Sequence, residues 1–190
     1  MTTLPPRLNQ ASAAFWLTVT MTVAVYLAIV AWSAPTISSH AGGLAIFDLR
    51  PTGYSYQDAQ AFLDALSVEG RQFYLNVQHR LDLIYPPLLA LTLIWAFGRL
   101  ADAHRTAAVL AIFPMIAMIA DLLENAAVAD LLEGGSQMMT AEMVSRASWL
   151  TIAKSGATTA AMTCLMILIV RGLYRSWIKR RGAILTQGQS

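Results

Sequence analysis

Charge is what this sequence has least of. Lys, Arg, Asp and Glu make up only 13% of its 190 residues and 56% are hydrophobic, whereas a soluble domain is about a quarter charged. That balance excludes an ordinary soluble domain and predicts a polytopic membrane protein. Cysteine is reduced to Cys164, inside an apolar run, so no intrachain disulfide can form and the redox compartment cannot be read. Paired-cysteine zinc spacing, a P-loop and a dinucleotide fingerprint are all missing. His40, His79 and His104 are scattered, so neither a metal nor a cofactor is expected. Nothing favours nucleic acid beyond a basic tail, which a membrane surface explains more simply. Internal repeats and low-complexity segments are absent as well.

What the chain does have is long apolar runs. Residues 13–33, 81–97, 106–132 and 149–173 are each candidates to cross a bilayer, which takes about 20 helical residues. The second is short and needs its flanks. Arg7 before the first run, and the small residues Ala31, Ser33 and Ala34 at its end, invite comparison with a signal peptide. The run exceeds the usual apolar core of such a peptide, so it reads as a retained anchor. The expected fold is all-α, a single four-helix transmembrane domain over residues 1–190.

Basic residues set the expected orientation. With both termini cytoplasmic, Arg7, Arg99, Arg105, Arg171, Arg175, Lys179, Arg180 and Arg181 lie inside, and Arg50, Arg71, Arg80 and Arg146 lie outside. The excess inside favours this arrangement in a bacterial cytoplasmic (inner) membrane, with the tail from Arg171 to Arg181 resting on anionic lipid.

Residues 34–80 then form the largest outer segment. Its first half, with Pro35, Gly42, Gly43, Pro51 and Gly53, reads as irregular loop. In its second half Ser55 and Asp58 make a capping box, and Ala59, Phe62, Leu63 and Leu66 recur at helical spacing. This predicts an extracytoplasmic amphipathic helix packed on the bundle or lying in the headgroup layer. Phe73, Tyr74, Val77, Leu81, Ile84 and Tyr85 carry a second stripe into the second span. Pro86, Pro87 and Pro114 predict bends. Gly134-Gly135 predicts a turn, and residues 140–146 a short helix before the fourth span. Gly156 and Ala160 give that span a small-residue face suited to close helix packing. Tyr and Trp residues fall mostly near the two expected interfaces, as aromatic belts do.

The functional lead is a polar triplet where lipid should be. Asp121, Glu124 and Asn125 interrupt the third run at i, i+3 and i+4, so they share one helical face. Ionisable groups at membrane depth usually face a partner or a wet cavity. Counting about 1.5 Å per residue from each helix end brings Asp121 and Lys154 to similar depths in the outer half. A bridge from Lys154 to Glu124 or Asp121 is the economical expectation. The surplus acid must then be protonated, share a proton with Asp82, or meet Arg71, His79 or Arg80 from above. The candidate pocket is therefore Asp82, Asp121, Glu124, Asn125 and Lys154. The candidate rim is Arg71, Tyr74, His79, Arg80 and Tyr85, with His79 and Arg80 the more interfacial. Acids crowded at low dielectric also suit general acid work or proton coupling.

Four motifs are carried by these segments: Asp48-x-Arg50-Pro51-x-Gly53-Tyr54-Ser55, Gly70-Arg71-x-x-Tyr74, Asp82-x-x-Tyr85-Pro86 and Asp121-x-x-Glu124-Asn125. Together they resemble a widespread group of small four-span bacterial membrane proteins of uncharacterised chemistry. The resemblance implies a four-span envelope, and that the outer loop and the acidic face belong to one site.

Three functions are open. One is a pocket that binds or processes a lipid-like or small amphipathic molecule, with the helix after Ser55 as its lid. Another is a structural or assembly subunit whose buried charges only lock the bundle. The third is proton-coupled transport, against which the apolar run from Ala107 to Ala120 argues. Expected partners are membrane lipid and a small amphipathic ligand, with a second copy or a membrane-complex protein as the alternative.

Overall fold

The computed structural model describes residues 6–187, with side chains described over 12–178. The side chains of Arg7, Lys179, Arg180 and Arg181, counted above for orientation, lie outside the described residues. Among the described residues every regular element is helical, and four stretches are long and apolar enough to cross a membrane: Ser12–His40, Val68–Leu100, His104–Met138 and Ala141–Ile178. Their outward faces are apolar, with Leu17, Ile116 and Ile167 all largely exposed. An exterior of this kind suits lipid rather than water.

Each span is longer than the hydropathy pattern suggests, because local backbone devices carry the helix past its apolar run. Helix α1 (Pro6–Ala28) passes through a π turn, Ile29–Ser33, into α2 (Ala34–His40). The loop expected from residue 34 therefore begins only after His40. Pro35 does not stop the helix because it follows directly on the π turn, whose wider bonding, seen in the Ala34 N–H on the Ile29 carbonyl, accommodates a residue without an N–H. Gly42 and Gly43, both at positive φ, then turn the chain.

After α3 (Tyr56–Ala65), the short α4 (Val68–Phe73) runs through a second π turn, Tyr74–Gln78, into α5 (His79–Leu100). This extension supplies the length that residues 81–97 lacked. Helix α6 (His104–Leu110) gives way to α7 (Ile112–Met138) at Ala111. Pro114 explains the break, since it lacks the N–H that would bond the carbonyl of Leu110. The break expected at Gly134-Gly135 is present. Gly135, at φ 62° and ψ −175°, kinks α7, and helical structure resumes to Met138. The separate helix expected at 140–146 is instead the first turns of α8 (Ala141–Gln187).

The four long elements pack in chain order: α1 on α5, α5 on α7, and α7 on α8, with α5 also reaching α8. Among the described residues α1 and α8 barely meet, which leaves a lateral gap between the first and last spans. At one end of the bundle, α2, α3 and the 41–55 loop close over α7 and α8. Their core includes Ile37, Ile46, Phe47, Phe62 and Leu131, all fully buried. Removing a ring such as Phe62 from a core of this kind costs about 3–5 kcal/mol. At the opposite end Arg171 and Arg175 both reach Asp102, at 3.1 and 2.7 Å. That exposed pairing fastens the 101–103 turn to α8 and contributes little energy.

Helix α3 is capped as expected. The Ser55 hydroxyl accepts from the Asp58 backbone N–H, and the Asp58 carboxylate accepts from the Ser55 N–H at 2.9 Å. Its apolar face, Ala59, Phe62 and Leu63, packs on α7 and α8.

Candidate functional site

The site is assembled around one ammonium group. Lys154 Nζ lies 3.2 Å from Asp48 Oδ1, 3.1 Å from Asp121 Oδ1 and 2.5 Å from Glu124 Oε2. An ammonium has three N–H donors, and three carboxylates surround it. Buried charge is tolerated only when paired in this way. Glu124 is fully buried, and Thr151, one helical turn before Lys154, meets its other oxygen at 2.5 Å. The pairing of Lys154 with Asp121 or Glu124 thus occurs with both at once.

Asp48 was absent from the sequence-level set, and its loop explains how it arrives. It sits in a 3₁₀ turn, Phe47–Leu49, pinned by the fully buried Phe47. That ring packs against Phe62 and Tyr54 with centroids 4.7 and 4.8 Å apart. Arg50 holds the loop from the other side, donating from Nε and Nη2 to the Ala45 carbonyl at 3.1 and 2.7 Å. Pro51 follows in a turn closed by the Gly53 N–H on the Arg50 carbonyl at 2.8 Å. Gly53 has φ 83°, and a Cβ there would lie 2.6 Å from Ser148 Oγ. Only glycine allows the loop to approach α8 so closely. The Tyr54 N–H then donates to that hydroxyl at 2.9 Å. Burial pushes the Tyr54 phenol up from its ordinary range, and the charges of Glu124 and Asp48 push it further.

Tyr74, expected on the rim, is buried beneath it, and its hydroxyl donates to Asp48 Oδ2 at 2.5 Å. It lies in the π turn, and such irregular turns are frequent at functional sites. Gln78, in the same turn, donates from Nε2 to both oxygens of Asp82, at 2.8 and 3.0 Å. The remaining sequence candidates separate. Asn125 does not join the acids; it turns to the second span and donates to the His79 carbonyl at 3.2 Å. One residue in a helix turns about 100°, enough to send neighbours to different helices. His79 contributes that carbonyl, while its ring is only partly buried. Arg80 is exposed. Arg71 packs its guanidinium against Gly135, so it braces the kink in α7. Of the expected rim, only Tyr85 borders the cavity.

That cavity has a volume of about 370 Å³ and occupies the gap between α1 and α8. Asp48, Asp82, Asp121 and Lys154 form its charged wall. Tyr26, Ile29 and Val30 of the first span stand opposite, and Ser155 and Thr158 continue the α8 side. Glu124 stands behind Lys154 and does not line it. Helix α3 contributes no lining residue, so the cover over the cavity is Asp48, Leu49 and Pro51 rather than the lid expected from Ser55 onward.

The sequence-level signal for Asp48 was its motif, and for Thr151 its spacing of three before Lys154. Asp48, Asp121 and Glu124 offer oxygens within 4.8 Å of one another, a spacing that could hold a metal ion. The Lys154 ammonium sits among them as a built-in cation. Ion-paired with three carboxylates, Lys154 is poorly placed to act as a free-amine nucleophile. No family model matches this chain, and no curated protein or solved structure is significantly similar to it.

Proposed function

We propose that this protein is a multi-pass protein of the bacterial cytoplasmic membrane. Both termini are cytoplasmic, and a lipid-like or small amphipathic molecule is bound or processed in the polar pocket of the outer half. The observation that carries this reading is the cavity of about 370 Å³ between α1 and α8, with a charged wall facing an apolar one. Its size lies within the range of small-molecule sites, and its polarity is split as an amphiphile requires. The gap opens sideways between two spans, so a ligand reaches it from the lipid without crossing the loops. The excess of arginine and lysine at the termini and the 98–105 turn supports the orientation. In that orientation α3 is an extracytoplasmic amphipathic helix.

Native mass spectrometry of the detergent-extracted protein tests this. A small molecule of defined mass is expected on the wild type and is expected to be lost from Asp121→Asn, which removes one wall charge and leaves Lys154 paired with Asp48 and Glu124. Asp121 is the better probe because Glu124 lies behind Lys154. A second reading, a structural or assembly subunit, is favoured by one observation: the outer loop, the third span and the fourth span are joined at one ammonium, where Lys154 pairs with Asp48, Asp121 and Glu124. A retained protein partner with no small ligand would establish that reading instead.

A further inference from the structure

Resting on the pocket reading above, we propose that the molecule it takes carries a protonated amine, docked on Asp82 beside the paired rings of Tyr26 and Tyr85. The first reason is a count of charges and donors. Asp48, Asp82 and Asp121 line the cavity against the single cation Lys154, and the Lys154 charge is already paired with Asp48, Asp121 and Glu124. Asp82 is 6% exposed and, among the described residues, has no cationic nitrogen within ion-pair distance. Its one neutral partner is the amide of Gln78. On that same amide Gln78 Oε1 is buried with no donor. The wall is thus rich in acceptors and short of positive charge, which disfavours an anionic headgroup and suits a cationic one.

The second reason is independent of the acids. Tyr26 and Tyr85 both border the cavity, with ring centroids 5.9 Å apart and planes 31° to each other. Aromatic rings attract an alkylammonium group placed within about 6 Å of the ring centroid. The apolar part of the ligand then lies along Ile29, Val30 and Leu89 toward the lipid. A divalent metal fits less well. It needs about six oxygen ligands, yet three of the acids already grip Lys154.

Decylamine and its uncharged isostere decanol separate these outcomes when titrated calorimetrically into the full chain in phosphatidylcholine nanodiscs, with empty discs as blank. Decylamine is expected to bind at least about tenfold more tightly than decanol. Asp82→Asn should bring the amine down to the affinity of the alcohol and leave the alcohol unchanged. Equal affinities in the wild type overturn the amine assignment while leaving the pocket standing. Binding of neither compound overturns the pocket reading as well. If Asp82→Asn fails to fold, Tyr26→Leu provides the same discrimination: it should weaken the amine and spare the alcohol, and an equal effect on both overturns the proposal. Competition by added phosphatidylethanolamine would identify a lipid headgroup as the source of the amine, and lack of competition a free amphiphile. Either result keeps the assignment.

Discussion

Lys154 Nζ lies 3.2 Å from Asp48 Oδ1, across 106 residues of chain. One contact thereby ties the loop after the first span to the N-terminal half of the last. The same ammonium holds Asp121 and Glu124, so loop, third span and fourth span share a single cation.

Lys154→Met should be strongly destabilising, because it leaves three carboxylates facing one another without a cation. Loss of one partner from a buried ion pair costs about 3–5 kcal/mol. A thermal melt of the purified protein in mild detergent should show a large drop. Adding Glu124→Gln to that variant should recover part of it. A melt unchanged by Lys154→Met would contradict the geometry.

Tyr74→Phe removes a single hydroxyl whose bond to Asp48 is 2.5 Å long. Hydrogen bonds to charged groups contribute about 1.5–3 kcal/mol. The loss should appear both in the melt and as faster proteolysis of the 42–53 loop, since Asp48 is then held only from the Lys154 side. Equal cleavage of the two proteins would show that the loop is fastened elsewhere.

Gly53→Ala meets two obstacles at once: a φ of 83° and a Cβ position 2.6 Å from Ser148 Oγ. The cost should exceed about 1 kcal/mol. Ser148→Ala in the same chain should relieve the clash and leave the backbone strain. Chemical denaturation of the two variants measures the division, and full rescue by Ser148→Ala would assign the whole effect to packing.

The cap of α3 carries the pH dependence. The Ser55 hydroxyl and backbone N–H hold the Asp58 carboxyl below its usual range. A depressed acid contributes stability that is present above its unfolded value and lost as pH falls through its folded one. Hydrogen exchange of the first turn of α3 should therefore accelerate at acid pH in the wild type. In Asp58→Asn it should be fast already and flat across that window. Because Asp58 is exposed, the effect is local and small.

Much of this molecule is written along the chain itself. Four apolar runs give four helices because length and hydropathy decide whether a segment can cross lipid, whatever surrounds it. The Ser55–Asp58 box starts α3 because a cap is satisfied within four residues. Asp121 and Glu124 share a face because a helix repeats every 3.6 residues. Counting rise along two antiparallel helices was enough to bring Lys154 level with them.

What periodicity could not supply was azimuth between elements. Asn125 sits one residue past Glu124 yet bonds the second span, because whichever helix packs alongside decides where a side chain points. Asp48 enters the site only because Phe47, Arg50 and Gly53 fold the loop down onto α8, a set of contacts between segments distant in sequence. The gap between α1 and α8, which creates the cavity, belongs to no residue at all. It follows from how α1, α5, α7 and α8 pack around one another, and that arrangement was decided by side-chain fit in three dimensions.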